Sequence, residues 1–278
     1  MPTSSQFIRY DGTDLAPSAL KEIQTRIGET EHAKKKGLDT LTKKLKGWSP
    51  LRAFERIKRY YGMQEDVIKI FCGNSISIPA VRSSEYFWAL PYRNENNSAV
   101  AVARMGIPDF SKISFDDKCY LDLLFTDHIL KNPLTQMCGV SFIVDWSGFK
   151  LSSFLAFRPL TIFKLFNHLL NSIPLRIKEI HVVNAHSVFR ILYNVLHFIF
   201  PKELREKIFF HPNDDWKSLH GFISPQILSE EYGGNIKKST MINLLENAEE
   251  LEKQFLESFS YGYVDTKQKR MSFSVITK

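Results

Sequence analysis

The sequence has only three cysteines among 278 residues, an odd number that does not suit a disulfide framework. Cys72, Cys119 and Cys138 are widely spaced and form no Cys-x-x-Cys pair, so the spacing of a structural zinc site is absent too. The first residues lack the apolar stretch of a signal peptide, and no apolar run reaches the roughly eighteen residues that span a bilayer. We therefore expect reduced thiols and a cytoplasmic protein.

The motifs of common α/β enzymes are also missing. No Gly-rich loop of the dinucleotide-binding or P-loop type is present to hold a phosphate, and no Gly-x-Ser-x-Gly elbow is present to expose a nucleophilic serine. His181, His186 and His211 have no metal-binding spacing, and together with Asp145 they are expected to be hydrogen-bonded structural residues. The sequence thus predicts a protein that is not an enzyme and has no catalytic residue, cofactor or metal site.

Positive charge is present, but it is concentrated in one segment. The whole chain carries +7, while residues 34–59 hold ten Lys or Arg against two acidic residues, which leaves the rest of the chain near neutral. Such a local concentration favours contact with an anionic membrane surface or with nucleic acid.

The middle of the chain has a βαβαβ pattern. Short β-branched runs predict strands over 139–146, 177–184 and 207–211, and apolar residues at helical spacing predict helices over 154–171 and 187–200. Strands joined by crossover helices pair in parallel, so the sequence predicts an α/β fold. Further elements are expected on either side of this core: a strand over 98–104 and helices over 114–131, 216–222 and 240–259.

The predicted helix over 187–200 is apolar nearly all round. Only Arg190, Asn194 and His197 interrupt its apolar surface, and they form one narrow line. Such a helix is either buried on both sides, or has one face on a cavity and the other against a membrane or a partner. The pattern alone favours the first alternative, a core helix buried on both sides.

Several ordered motifs resemble a known family. They are the run from Asn132 to Gly148, the string Ser-Ile-Pro-Leu-Arg-Ile-Lys-Glu-Ile-His-Val-Val-Asn over 172–184, Pro201 to His211, and Ile227 to Gly234. Together they resemble the CRAL-TRIO (Sec14-like) lipid-binding domains from about residue 90 to 234, most closely the group of α-tocopherol transfer protein, retinaldehyde-binding protein and clavesin. The resemblance implies a mostly parallel sheet with flanking helices around one hydrophobic ligand, and a gate helix at 187–200.

The resemblance also implies a domain organisation. We expect a disordered tail over 1–16, a small all-helical N-terminal lobe over 17–73, the CRAL-TRIO domain over 74–238, and a C-terminal helix with a basic tail over 239–278. The arginine-rich string that usually precedes the helix at 51–61 is missing here, so either the lobe is abbreviated or its basic surface has been rebuilt from the lysines of 34–46.

Alternation on the strands, inward stripes on the helices and the family's cavity position together predict the ligand-binding residues. Ser152 or Ser153 is expected to supply one polar contact, although a plain helix N-cap is an equal alternative. The resemblance further implies that Arg176, Lys178, Arg205 and Lys207 bind phosphoinositide headgroups. The predicted apolar lining is Phe142, Val144, Phe154, Phe157, Phe163, Phe166, Ile180, Val182, Phe189, Leu192 and Leu196.

These inferences predict a monomeric, peripherally membrane-associated protein. It would bind a tocopherol-, retinoid- or other isoprenoid-like ligand without catalysis and release it at phosphoinositide-containing membranes. Two alternatives stay open: a Sec14-type phospholipid or phosphoinositide exchanger, and a phosphoinositide-recruited adaptor in membrane trafficking. Nucleic acid is not expected as a partner, because it would explain the basic segment and no other feature.

Overall fold

The computed structural model describes residues 59–60, 85–108, 113–150, 152–153, 173, 175–197, 200, 202–213, 215–244, 246 and 248–258. The expected tail over 1–16, nearly all of the expected N-terminal lobe and the expected helix over 154–171 lie outside these residues.

The described residues form a six-stranded sheet in the order β5-β4-β3-β2-β1-β6. Strands β2 to β5 are parallel, as the crossover pattern predicted, while β1 is antiparallel to both of its neighbours. The strand bounds are Phe87–Ala89 (β1), Ala99–Arg104 (β2), Val140–Asp145 (β3), Ile177–Val183 (β4), Ile208–Phe210 (β5) and Ile242–Asn243 (β6).

Six helices accompany the sheet in the described part of the chain. The longest begins at Ser114, whose hydroxyl accepts from the Asp117 amide while the Asp117 carboxylate accepts from the Ser114 amide, a reciprocal cap that fixes the first turn. The helix bounds are Phe115–Leu130 (α1), Pro133–Cys138 (α2), Ser187–Leu196 (α3), Lys202–Arg205 (α4), Lys217–His220 (α5) and Ala248–Ser258 (α6).

Two differences from the sequence prediction come from pairing at the sheet edge. The expected helix over 240–259 starts only at Ala248, because Ile242 and Asn243 pair with β1 instead. Strand β1 was not among the expected elements, and its three residues are held by neighbours on both sides. Pairing with a distant strand therefore overrides local helical spacing at 242–243 and makes a strand of 87–89, where the sequence predicted none.

The side chains of the sheet divide between two faces by simple alternation. On the first face, Ala101 and Ala103 of β2 are buried with α1 residues such as Phe125, and α6 packs beside α1. On the second face, Val102 and Ile143 are buried under the segment from α5 onward, including Leu219, Ile223, Ile227, Leu228 and Tyr232. Both faces of a central parallel sheet are thus covered, as such sheets require.

A buried carboxylate ties the strand ends together on the second face. Asp145 accepts from the Ser147 amide at 2.9 Å, from the Asn184 side-chain amide at 2.9 Å and from the Tyr232 hydroxyl at 3.0 Å. Burial, followed by the nearby Asp145 charge, raises the pKa of Tyr232, so its hydroxyl stays a donor. The end of β3 is therefore fixed to both β4 and the second-face segment.

Two buried histidines form a hydrogen-bonded chain on the same face. Nδ1 of His181 lies 3.0 Å from Nε2 of His211, whose Nδ1 lies 2.8 Å from the Ser218 hydroxyl. Nε2 of His181 lies 3.3 Å from the Glu179 carboxylate, which can only accept. His181 therefore donates from Nε2 to Glu179. When both rings are neutral, Nδ1 of His181 accepts from Nε2 of His211, and Nδ1 of His211 accepts from the Ser218 hydroxyl. The structural role expected from the sequence fits these contacts.

The two buried histidines predict that acid lowers the stability of the folded protein. Burial lowers the pKa of both His181 and His211 from 6.5 to about 4. Between those values the unfolded chain binds protons that the folded chain does not, so the free energy of unfolding should fall as the pH drops from 6.5 toward 4. Denaturant unfolding at successive pH values measures this slope.

A His211→Gln variant should flatten that slope without abolishing it, because burial also lowers the pKa of His128 to about 4. His197→Gln, at an exposed position, is the matched control and should keep the wild-type slope. A wild-type slope in His211→Gln would show that the buried pair is not the source.

Candidate functional site

The first face of the sheet is covered unevenly. Where α1 lies over β2, Ala99, Ala101 and Ala103 are fully buried. On the neighbouring strands, Phe142, Val144 and Ile180 point to the same face and remain partly exposed. An apolar sheet face normally seals itself against a helix, so this incompletely filled region is the place where an apolar ligand can be held.

Helix α3 lies beside this region, at the C-terminal ends of β3 and β5, and is attached at its start by aromatic rings. The Phe189 ring lies 4.0 Å from the Trp146 ring and 5.3 Å from the Phe149 ring, measured between centroids. Trp146 and Phe149 are themselves in edge contact at 4.9 Å. These three residues, the aromatic latch, hold α3 to the segment that follows β3, where tilted and edge-on ring pairs are favourable.

A second group of rings attaches the middle of α3 to β5. The Tyr193 ring lies 5.0 Å from the Phe210 ring and 6.0 Å from the Phe200 ring, and the Arg190 guanidinium lies 5.7 Å from the Phe210 centroid. Burial raises the pKa of Tyr193, and the nearby positive charge of Arg205 opposes that shift. All of these contacts are made by side chains, so they can separate without breaking a backbone hydrogen bond.

The outer side of α3 faces solvent. Arg190, Ile191, Asn194 and His197 are exposed, and Ile191 has 62% of its surface accessible. Among the described side chains of α3, the inner ones are the aromatic Phe189 and Tyr193. Of the two alternatives that the sequence left open, the observed helix has one side on the sheet and one side free.

The structure places the predicted lining residues as follows. Phe142, Val144 and Ile180 are partly exposed on the first face, and Val182 and Phe189 are buried there. Ser152 is exposed and Ser153 is partly buried, in a short helical turn just after Phe149. Phe154, Phe157, Phe163 and Phe166 lie outside the described residues, as do the side chains of Leu192 and Leu196.

Sequence reasoning missed three residues that touch α3: Trp146, Phe149 and Phe210. A signal for two of them was present, because Trp146 continues the alternation of Phe142 and Val144, and Phe210 continues that of Ile208. Phe149 lies in a loop without periodicity, so only the tertiary structure reveals its contact.

The four predicted headgroup-binding cations lie near the N-terminal edge of the parallel strands. Arg176 and Lys178 open β4, and Lys207 at the start of β5 donates to the Ile177 carbonyl at 2.7 Å, which joins the two strand starts. Among the described residues no carboxylate forms an ion pair with any of the four. Of the nearby acids, Glu206 pairs with Lys202 at 3.8 Å, and the Glu179 carboxylate accepts a hydrogen bond from His181 at 3.3 Å on the other face of β4.

Two other kinds of site were sought in the described part of the chain. It contains no group of three or more His, Cys, Asp or Glu side chains that could hold a metal ion. None of its helices is long and apolar enough to cross a bilayer.

In the described part of the chain, a mostly parallel sheet carries a partly exposed apolar patch with the amphipathic helix α3 beside it. The family model of the CRAL/TRIO domain matches residues 83–234, more than half of the chain. The chain belongs to the CRAL/TRIO family, as its motifs predicted.

Individual relatives agree with this assignment. The chain is 25% identical to a mouse protein called alpha-tocopherol transfer protein-like, over 74% of this chain and 61% of that protein. It is 26% identical to rat clavesin-1, over 66% of this chain and 52% of that protein, and 26% identical to human clavesin-2, over 66% and 56%. It therefore spans about half to three fifths of these relatives' length. Among solved structures, Sfh5 matches with a TM-score of 0.47 and 14% identity, over 84% of this chain and 88% of that one.

The aromatic latch predicts how readily α3 opens. Replacing Trp146 with Ala removes the ring contacts to Phe189 and Phe149, each of which contributes about 0.5–1.5 kcal/mol. Hydrogen exchange of the α3 amides should then accelerate about tenfold, because local opening becomes easier. Mass spectrometry of exchange in peptides covering 187–196 measures the effect.

The matched control is Trp216→Ala. Trp216 packs on Tyr232 at 5.6 Å on the second face of the sheet and belongs to that core. It should leave exchange in α3 unchanged. Equal acceleration by both variants would mean that general loss of stability, rather than the latch, controls the opening of α3.

Proposed function

We propose that this chain binds one small hydrophobic molecule beneath α3 and transfers it between membranes without catalysis. The occupant would be an isoprenoid-like ligand of the tocopherol or retinoid kind, released at a phosphoinositide-containing bilayer. Membership of the CRAL/TRIO family and the similarity to an alpha-tocopherol transfer protein-like protein support this proposal.

The observation that carries the proposal is a difference in solvent exposure between the apolar side chains on the two halves of the first face. Three neighbouring apolar side chains, Phe142, Val144 and Ile180, keep accessible surface where α3 is the cover, whereas β2 is sealed under α1. Burying such surface is worth about 25 cal/mol per Å², so an apolar ligand under α3 would stabilise the protein. The surroundings are aromatic and aliphatic, which suits a ligand with few polar groups.

Release at a bilayer follows from the same energetics. Each CH₂ group of an apolar ligand costs about 0.8 kcal/mol when it enters water, so escape into solution is slow and escape into acyl chains is not. Helix α3 can act as the gate, because side-chain contacts hold it and its exposed Ile191 can exchange water for lipid.

Docking would use Arg176, Lys178, Arg205 and Lys207. A basic residue near an anionic surface contributes about 1 kcal/mol, and these four have no carboxylate partner among the described residues. Arg205 also lies near Tyr193 of α3, so headgroup binding at this edge would be close to the gate.

The ligand class is tested by mass spectrometry of an organic extract of the purified protein. A stoichiometric isoprenoid would support the proposal. A stoichiometric phospholipid would instead indicate an exchanger of the Sec14 type, and a protein with neither would behave as a membrane-recruited adaptor.

Filling the space beneath α3 should prevent binding. Val182→Trp adds a large ring on the first face of β4, and we expect loss of at least 90% of bound ligand, roughly a tenfold change, while the circular dichroism spectrum stays unchanged. Leu192→Trp is expected to act in the same way from α3. Ile191→Trp, on the exposed side of α3, is the matched control and should retain ligand. Full occupancy in both Val182→Trp and Leu192→Trp would place the ligand elsewhere.

Charge reversal should separate docking from ligand binding. A double variant with Arg176→Glu and Lys178→Glu changes the net charge of the edge by four, so binding to phosphoinositide vesicles should weaken by more than tenfold and transfer should slow. Ligand affinity should be unchanged, because neither side chain lies under α3. Transfer at the wild-type rate would exclude this patch and make the lysines of 34–46 the better candidate.

A further inference from the structure

The most exposed large apolar side chain in the described part of the chain is Met137, with 70% of its surface accessible. It lies in α2, whose orientation is fixed from the opposite side. Thr135 is fully buried and accepts from the Arg93 guanidinium at 2.9 Å. Positions two apart on a helix point about 200° away from each other, so the anchor at Thr135 directs Met137 outward.

Met137 also lies next to the start of β4. The chain passes from α2 into β3 at Gly139, where an added Cβ atom would come within 2.4 Å of the Arg176 carbonyl oxygen and 3.2 Å of Lys178 Cγ. Gly139 adopts φ +85°, so a glycine is required there on two grounds. Two residues of extended chain span at most about 7 Å, so the backbone of Met137 lies near the start of β4, where both cations are attached.

The charges around this position suit an anionic surface. Residues 132–139 contain no charged side chain, and Arg176 and Lys178 have no carboxylate partner among the described residues. The nearest acidic residue is Glu179, which follows Lys178 in β4 but points to the opposite face of the strand, toward His181. Glu206 pairs with Lys202, while Glu95 lies in the turn before β2 and Glu203 in α4. The face of the sheet edge that carries Arg176 and Lys178 therefore has an excess of positive charge, with Met137 as the exposed apolar residue near it.

We infer that Met137 enters the bilayer when Arg176 and Lys178 contact anionic headgroups. This inference rests on the proposed membrane docking and adds the residue that penetrates the surface. A single apolar side chain beside unpaired cations matches the interface between headgroups and acyl chains. A protein partner would need a patch of about 800 Å² with an apolar core of several residues. Among the described residues, this edge presents a single exposed large apolar side chain, that of Met137.

The depth of insertion can be measured directly in the full-length chain. Met137→Trp should be quenched by phospholipids brominated on the acyl chains, in vesicles containing phosphatidylserine and phosphatidylinositol bisphosphate, after subtraction of the wild-type signal. The control is Ile107→Trp, which is 43% exposed just beyond the other end of β2 and should not be quenched. Equal quenching at both positions, or none at Met137→Trp in vesicle-bound protein, would overturn the inference.

Affinity gives an independent test. Met137→Glu should lower the affinity for these vesicles about tenfold, while Met137→Leu should keep the wild-type value. Wild-type affinity in Met137→Glu, combined with weak binding after Arg176→Glu and Lys178→Glu, would refute insertion and leave the proposed docking intact. Wild-type affinity in both would refute the docking surface as well, whereas ligand extracted from the protein would still support the proposed ligand binding.

Discussion

The parallel pairing of β3 with β4 is the constraint on which the rest of the structure depends. Its register sets Phe142 beside Ile180 and Val144 beside Val182, so four apolar side chains share one face under α3. The same register sets Ile143 beside His181 on the other face, in the core with the histidine chain. A slip by one residue would exchange the two faces and destroy both.

This pairing also separates the two ends of the sheet. At the C-terminal ends, Asp145, Asn184 and Tyr232 form a fully hydrogen-bonded cluster, and Trp146 follows directly to hold Phe189. At the N-terminal ends, Arg176 and Lys178 stand without carboxylate partners among the described residues. One end is thus rigid and satisfied, while the other carries free charge toward solvent. The described contacts of α3 with Trp146 and Phe210 are side-chain ring contacts at the C-terminal ends, so their loss need not disturb the backbone hydrogen bonds of the sheet.

Much of the fold could be predicted from the sequence, because it rests on local periodicity. Alternation in Val140–Asp145 and Ile177–Val183, and the cap at Ser114, gave the central strands and α1. Residues 87–89 and 242–243 were not predicted as strands, since runs of two or three residues carry no periodic signal and form only when a partner is present. The same limit applied to the site: Phe189 was predicted from a helical stripe, whereas Phe149, in a loop, was not.

What the sequence by itself determined is the succession of the central strands along the chain, their parallel pairing and the family, because these depend on local patterns and motifs. What only the tertiary structure decided is which residues from distant segments meet: Trp146 with Phe189, Tyr193 with Phe210, and Gly139 with Arg176 and Lys178. The physical reason is that side-chain contacts between elements depend on register, packing and burial, and these are fixed only when the whole sheet has formed.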